Sequence, residues 1–158
     1  MKRIAQVAFL TLALASIPAF SHGDEDSHGG HSSHSDMIGR PGELAKVSRT
    51  VKVDMSDAMR FAPSNIVVKR GETIRFLVKN NGTQKHEMVL GSITKLKEHA
   101  ELMRKFPAME HADPNQVAVD PDKVGELIWQ FTKSGKVDFA CLLPGHFEAG
   151  MKGTVVVK

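Results

Sequence analysis

The chain has 158 residues, enough for one domain with a sizeable core, and its 41% apolar and 25% charged content excludes a disordered or fibrous protein. A single Cys excludes an internal disulfide framework, while eight His and eight Met are a surplus for this length. The formal net charge of +3 is only mildly basic, and part of it belongs to a segment that export would remove.

Met1 to Ser21 has the three parts of a secretory signal. Lys2 and Arg3 form a basic start, an apolar run extends from Ile4 to Ile17, and Ala19-Phe20-Ser21 supplies small residues at the cleavage-determining positions. The run is shorter than the roughly 20 residues that span a bilayer, so residues 1–21 read as a cleavable signal peptide rather than an anchor, and the protein as periplasmic. Cleavage takes two of the 21 basic residues and none of the 18 acidic ones, leaving +1. A nucleic-acid role driven by phosphate neutralisation therefore has no support. An unpaired Cys in an oxidising compartment needs an explanation.

Residues 22–42 read as a disordered His-rich tail and linker. His22 to Met37 holds four His, four acidic residues, four Ser and three Gly, with little to bury, and Pro41-Gly42 closes the linker. A domain over 43–158 follows and reads mostly as strands. Val47, Val51, Val53 and Met55 alternate with polar residues, Phe61 leads to Pro63, and Ile66 to Lys69 precedes a Gly71 turn. Thr73 to Lys79 is the next strand, Asn80-Asn81-Gly82 a turn, and His86 to Leu90 another strand. Leu96, Ala100, Met103 and Phe106 recur at helical spacing until Pro107, and Ala108 to Lys123 reads as loop. Leu127, Trp129 and Phe131 alternate along a strand, Val137, Phe139 and Cys141 along the next, and Thr154 to Val157 closes the chain. About seven short strands predict an all-β antiparallel Greek-key sandwich with a helical insertion over about 93–123.

Cys141, His146 and Met151 stand at the spacing C-x4-H-x4-M, just before the last strand, and His86 heads an earlier strand. Two His and one Cys in a trigonal arrangement with a weak axial Met make a type 1 copper centre. Thiolate and thioether suit Cu(I), and imidazole suits both oxidation states. A loop carries three of the donors, His86 anchors the fourth side, and alternation turns Cys141 inward with Val137 and Phe139. Structural zinc sites rarely use Met.

The order His86…Cys141…His146…Met151 on a short β-sandwich resembles the cupredoxins, and its spacing the rusticyanin-like branch. The phrases His86-Glu87-Met88-Val89-Leu90-Gly91 and Cys141-Leu142-Leu143-Pro144-Gly145-His146 resemble the periplasmic copper-tolerance cupredoxins of the CopI type. The resemblance covers residues 45–158 and implies copper as Cu(I)/Cu(II). One departure is Glu87: many cupredoxins place Asn or Ser after the first His, where the side chain ties the two halves of the site together.

Two features exceed simple electron transfer. His28, His31 and His34 recur every three residues, and with His22 would line one side of an extended tail that captures copper. His99 and Met103 share a helical face, Met109 and His111 follow Pro107, and Met88 shares a strand face with His86, which makes these five candidates for a second copper. Met at such spacing equally suits packing. Copper tolerance, through capture and oxidation of Cu(I), is the favoured function. The alternative is a diffusible blue-copper electron carrier whose redox partner docks near His146 on Leu142, Leu143, Pro144 and Phe147. A conventional enzyme is not expected, since an oxidase of organic substrates needs further copper clusters with many more His.

Overall fold

The computed structural model describes residues 39–107 and 113–158. The expected signal peptide, nearly all of the His-rich tail with His22, His28, His31 and His34, and the pair Met109 and His111 lie outside the described residues.

Ten short strands, one α-helix and a short 3-10 helix at Leu44–Lys46 make up the described chain. The strands are β1 (Arg40–Pro41), β2 (Arg49–Ser56), β3 (Arg60–Ala62), β4 (Asn65–Val68), β5 (Thr73–Asn80), β6 (His86–Gly91), β7 (Gln116–Val119), β8 (Val124–Gln130), β9 (Gly135–Ala140) and β10 (Lys152–Val157). Helix α1 (Ile93–Lys105) lies between β6 and β7. The strands form two sheets, in the orders β1-β8-β5-β2-β3 and β4-β10-β9-β6-β7. Alternate residues of each sheet turn into one shared core. Val53 and Met55, Ile74, Phe76 and Val78, and Leu127 and Trp129 come from the first sheet; Met88, Leu90, Val137, Phe139 and Val155 come from the second.

Two pairings differ from an antiparallel sandwich. β2 lies parallel to β5, and β4 parallel to β10, within an otherwise antiparallel set. The chain leaves the first sheet after β3, lays β4 in the second, and returns as β5 beside β2. That crossing makes the two neighbours run the same way. Alternation identifies the face a residue occupies but carries no information about the partner's direction.

The stretch read as loop over Ala108 to Lys123 contains β7, which pairs with β6 from His86↔Val119 to Val89↔Gln116. Val119 is 2% exposed and belongs to the shared core. Only four residues long and flanked by Pro114 and Pro121, β7 is too short for a periodicity to show.

Helix α1 begins where the Ser92 hydroxyl accepts the backbone N–H of Lys95, and ends just before Pro107 with Arg104 and Lys105 in the last turn, where cations suit the helix dipole. Its buried face of Leu96, Ala100 and Met103 packs on Val89, Ala140, Leu142 and Phe147. At about 1.5–3 kcal/mol for each fully buried Leu or Met, this contact holds the helix as a third layer on the outer face of the second sheet. The layer explains why all six residues of β6 are buried. Met88 faces the sandwich interior, and Val89 faces the helix.

Phe76 is fully buried and meets Phe131 edge-on, with ring centroids 6.3 Å apart. Phe76→Ala should cost about 3–5 kcal/mol in urea unfolding; a loss below about 1 kcal/mol would contradict a single close-packed core.

Candidate metal centre

His86 opens β6 on the inner face of the second sheet, the face that carries Met88 and Leu90. Cys141 follows β9 on the same face as Val137 and Phe139, inward as the alternation requires. The loop from Cys141 to Met151 then folds back on itself. Its turns close through His146 N–H to Leu143 O (3.0 Å), Ala149 N–H to Gly145 O (3.0 Å) and Gly150 N–H to Phe147 O (3.1 Å). Gly150, at φ +93°, takes a left-handed conformation that few side chains tolerate and reverses the chain into Met151. Met151 N–H donates to His146 O (3.0 Å), and Met151 O accepts from Cys141 N–H (3.1 Å), so the backbones at all three positions are hydrogen-bonded to one another. Arg60, from β3 of the opposite sheet, clamps the loop by donating to Ala149 O at 2.9 Å.

This architecture brings the donor atoms of His86, Cys141 and His146 within 4.8 Å of one another, all buried. His146 Nδ1 lies 3.3 Å from Cys141 Sγ and 3.2 Å from His86 Nδ1. Three donors around one ion, at bond lengths of about 2.0–2.3 Å, stand about 3.5–3.8 Å apart. The two separations are a few tenths of an ångström shorter than that range, so a small outward shift of the pre-arranged side chains fits a single soft-to-borderline ion. Met151 is fully buried in the same interior cluster as Cys141.

Electrostatics set the protonation states. Burial pushes the Cys141 thiol up to about 12, against backbone N–H donors from Glu87 and Leu143 that favour the thiolate. Without a cation the sulfur therefore keeps its proton. Burial also lowers the pKa of His146, with the neighbouring His86 adding to the effect, so its ring is neutral at neutral pH. Asp57, in the turn between β2 and β3, lies 3.1 Å through Oδ1 from His86 Nε2. The Thr83 backbone N–H (2.7 Å) and hydroxyl (2.8 Å) hold its carboxyl well below the usual carboxylate range. An ionised carboxylate only accepts, so His86 carries a proton on Nε2, and Nδ1 is the ring nitrogen that faces His146.

Glu87 supplies the tie that Asn or Ser makes in many cupredoxins. Its Oε1 accepts the backbone N–H of Leu142 at 2.9 Å, joining β6 to the residue after Cys141. Among the described residues, the other candidates lie in different places. Met88 packs in the core between the sheets and Met103 in the separate cluster under α1, while His99 is half-buried on the helix. Both thioethers are packing side chains in this fold. The apolar surface expected beside His146 is also smaller than the sequence implies. Leu142 is fully buried and Phe147 is 8% exposed, both packed in the cluster that carries α1, which leaves Pro144 and part of Leu143 at the surface. Sequence reasoning missed Asp57 and Arg60, because each reaches the site from the opposite sheet and no spacing marks such a contact.

The family model described as copper binding proteins, plastocyanin/azurin family, matches residues 46–158. The chain is 53% identical over 139 residues to the copper-resistant cuproprotein CopI of Rubrivivax gelatinosus, covering 87% of this chain and 84% of that one. It is 34% identical over 164 residues to the protein of the same name from Vibrio cholerae, covering 96% of each. Among solved structures, the dithionite-reduced auracyanin of Roseiflexus castenholzii aligns at a TM-score of 0.61 and 22% identity, covering 71% of this chain and 98% of that one, a likeness of fold alone. A sandwich of this fold, an interior thiol and two imidazoles that converge, and a family match over the whole described domain agree: the chain belongs to the plastocyanin/azurin family of copper-binding proteins, a cupredoxin whose cofactor is copper.

Proposed function

We propose that the protein is a periplasmic copper-tolerance cupredoxin, in which His86, Cys141 and His146 would hold copper, with Met151 as a weaker fourth donor. The observation that carries this reading is the buried convergence of those three donor atoms within 4.8 Å. The tolerance role is supported by two relatives, from Rubrivivax gelatinosus and Vibrio cholerae, that are named copper-resistant cuproproteins. Copper at this position supplies a one-electron couple between Cu(I) and Cu(II). The chain's own residues do the rest. Cys141 gives up its proton on loading, the hydrogen-bonded loop holds the donors in one arrangement for both states, and the interior excludes water. In this reading the exported tail gathers copper through His22, His28, His31 and His34, Met109 and His111 are further capture residues, and Cu(I) taken up by the centre becomes Cu(II) by passing one electron to an external one-electron acceptor.

A diffusible electron carrier is the second reading. Its supporting observation is that His146, 8% exposed, sits in the loop beside exposed Pro144 and Gly145, where a redox partner can approach. The withdrawal of Leu142 and Phe147 from that surface weighs against it.

Growth separates the two. A strain lacking the protein should be copper-sensitive and rescued by the intact chain, whereas Cys141→Ala, stripped of the thiolate-to-Cu(II) visible absorption, should not rescue it. Normal growth on copper combined with a respiratory defect would overturn the tolerance reading in favour of the carrier.

Copper uptake has a proton signature. At pH 7–8 the thiol is protonated and His146 is neutral, so Cu(I) loading should release the Cys141 proton, about one per chain. Below the lowered His146 pKa the imidazole must also shed a proton, so uptake weakens as pH falls. Titration in weak buffer with a pH electrode measures the release; an equal release from Cys141→Ala would show that the thiol is not a ligand.

A further inference from the structure

We propose that Asp57 is the positioning residue of the centre: by accepting the Nε2 proton of His86 it fixes which imidazole nitrogen faces the metal and biases bound copper towards Cu(II). The inference rests on His86 being a copper ligand, as proposed above.

Three observations carry it. The first is the contact itself, Asp57 Oδ1 to His86 Nε2 at 3.1 Å, on the side of the ring away from the nitrogen that faces His146. The imidazole is fully buried, while the Asp57 side chain, 33% exposed, bridges it to the surface.

The second is how firmly the carboxylate is held. Oδ2 accepts the Thr83 backbone N–H at 2.7 Å and the Thr83 hydroxyl at 2.8 Å, and Oδ1 accepts the Gln84 N–H at 3.3 Å. The loop that offers these donors is itself pinned. Asn80 Nδ2 donates to Gln84 O at 2.7 Å and to Val119 O at 3.0 Å, and Asn80 Oδ1 accepts the Gly82 N–H at 2.9 Å.

The third is the space kept for it. A Cβ on Gly82 would stand 2.1 Å from Asp57 Oδ1, the oxygen that meets His86, so only glycine leaves the carboxylate in place. Turn chemistry that began as Asn80-Asn81-Gly82 in the sequence thus ends as a cradle for one acidic side chain from the neighbouring β2–β3 turn.

The consequence follows from charge. A carboxylate hydrogen-bonded to a ligating imidazole orients the ring, makes it a stronger donor, and places a negative charge close to the ion. Both effects favour the more highly charged state of the metal. Outer partners of this kind are typically worth 10–100-fold in metal affinity. If Asp57 strengthens Cu(II) binding about tenfold more than Cu(I) binding, the one-electron potential lies about 59 mV below that of the same centre without the charge. A low potential suits a centre that takes Cu(I) and keeps it oxidised.

The test uses the copper-loaded full chain. Asp57→Asn should keep the thiolate-to-Cu(II) band and raise the reduction potential by about the tenfold equivalent. Gly82→Ala, which displaces the carboxylate without removing its charge, should move the potential the same way by less. In the Cu(I) form of the unaltered protein, nitrogen-15 NMR should show His86 protonated at Nε2, a readout that needs no variant to fold. An unmoved or lowered potential in Asp57→Asn, or a His86 whose Nε2 bears no proton, would overturn the inference. Loss of the thiolate band from the unaltered protein would instead overturn the ligand assignment beneath it.

Discussion

The rest of the structure depends on a thiol and two imidazoles being held together in a space that excludes water. Unpaired polar groups in such a place cost about 1–3 kcal/mol each, more than an ordinary contact returns. The fold tolerates the arrangement because every donor is anchored by covalent or hydrogen-bonded backbone that the sandwich needs in any case. His86 begins a central strand, Cys141 ends its neighbour, and the intervening loop closes on its own carbonyls. Bringing the donors together is therefore a property of the two sheets, and an ion would meet donors whose ordering folding has completed.

Burial on both faces of the second sheet serves the same end. α1 covers the outer face through Leu96, Ala100 and Met103, which press on Val89, Ala140 and Leu142, the immediate chain neighbours of core residues and of Cys141. With the helix on one side and the first sheet on the other, all of β6 and the last four residues of β9, which lead into Cys141, are buried. Glu87 uses the outer face differently: its carboxylate accepts the Leu142 N–H and so couples the two ligand-bearing strands just outside the donor set. The departure from Asn or Ser at this position keeps the tie and adds an acidic group.

Much of this was legible in the sequence. Period-two alternation located most of the strands and turned Cys141 inward, and helical spacing with a Pro stop located α1 to within a residue. The spacing C-x4-H-x4-M, read with His86, named three residues that the fold brings together and a fourth, Met151, buried beside them. What escaped has a common cause. The parallel partners of β2 and β4, the four-residue β7, and the reach of Asp57 and Arg60 across the sandwich are all relations between distant segments, and local pattern contains no term for them. The surplus of Met is harder to read for a related reason. A thioether at helical or strand spacing looks the same whether it packs or binds, and in Met88 and Met103 packing prevails.

X-ray absorption at the copper edge, on the loaded protein in both oxidation states, addresses the central claim most directly. A preformed His86–Cys141–His146 set predicts one short copper–sulfur distance and two imidazole nitrogens in each state, with little change in length between them. A shell of nitrogen and oxygen alone, or ligands exchanged between Cu(I) and Cu(II), would contradict it.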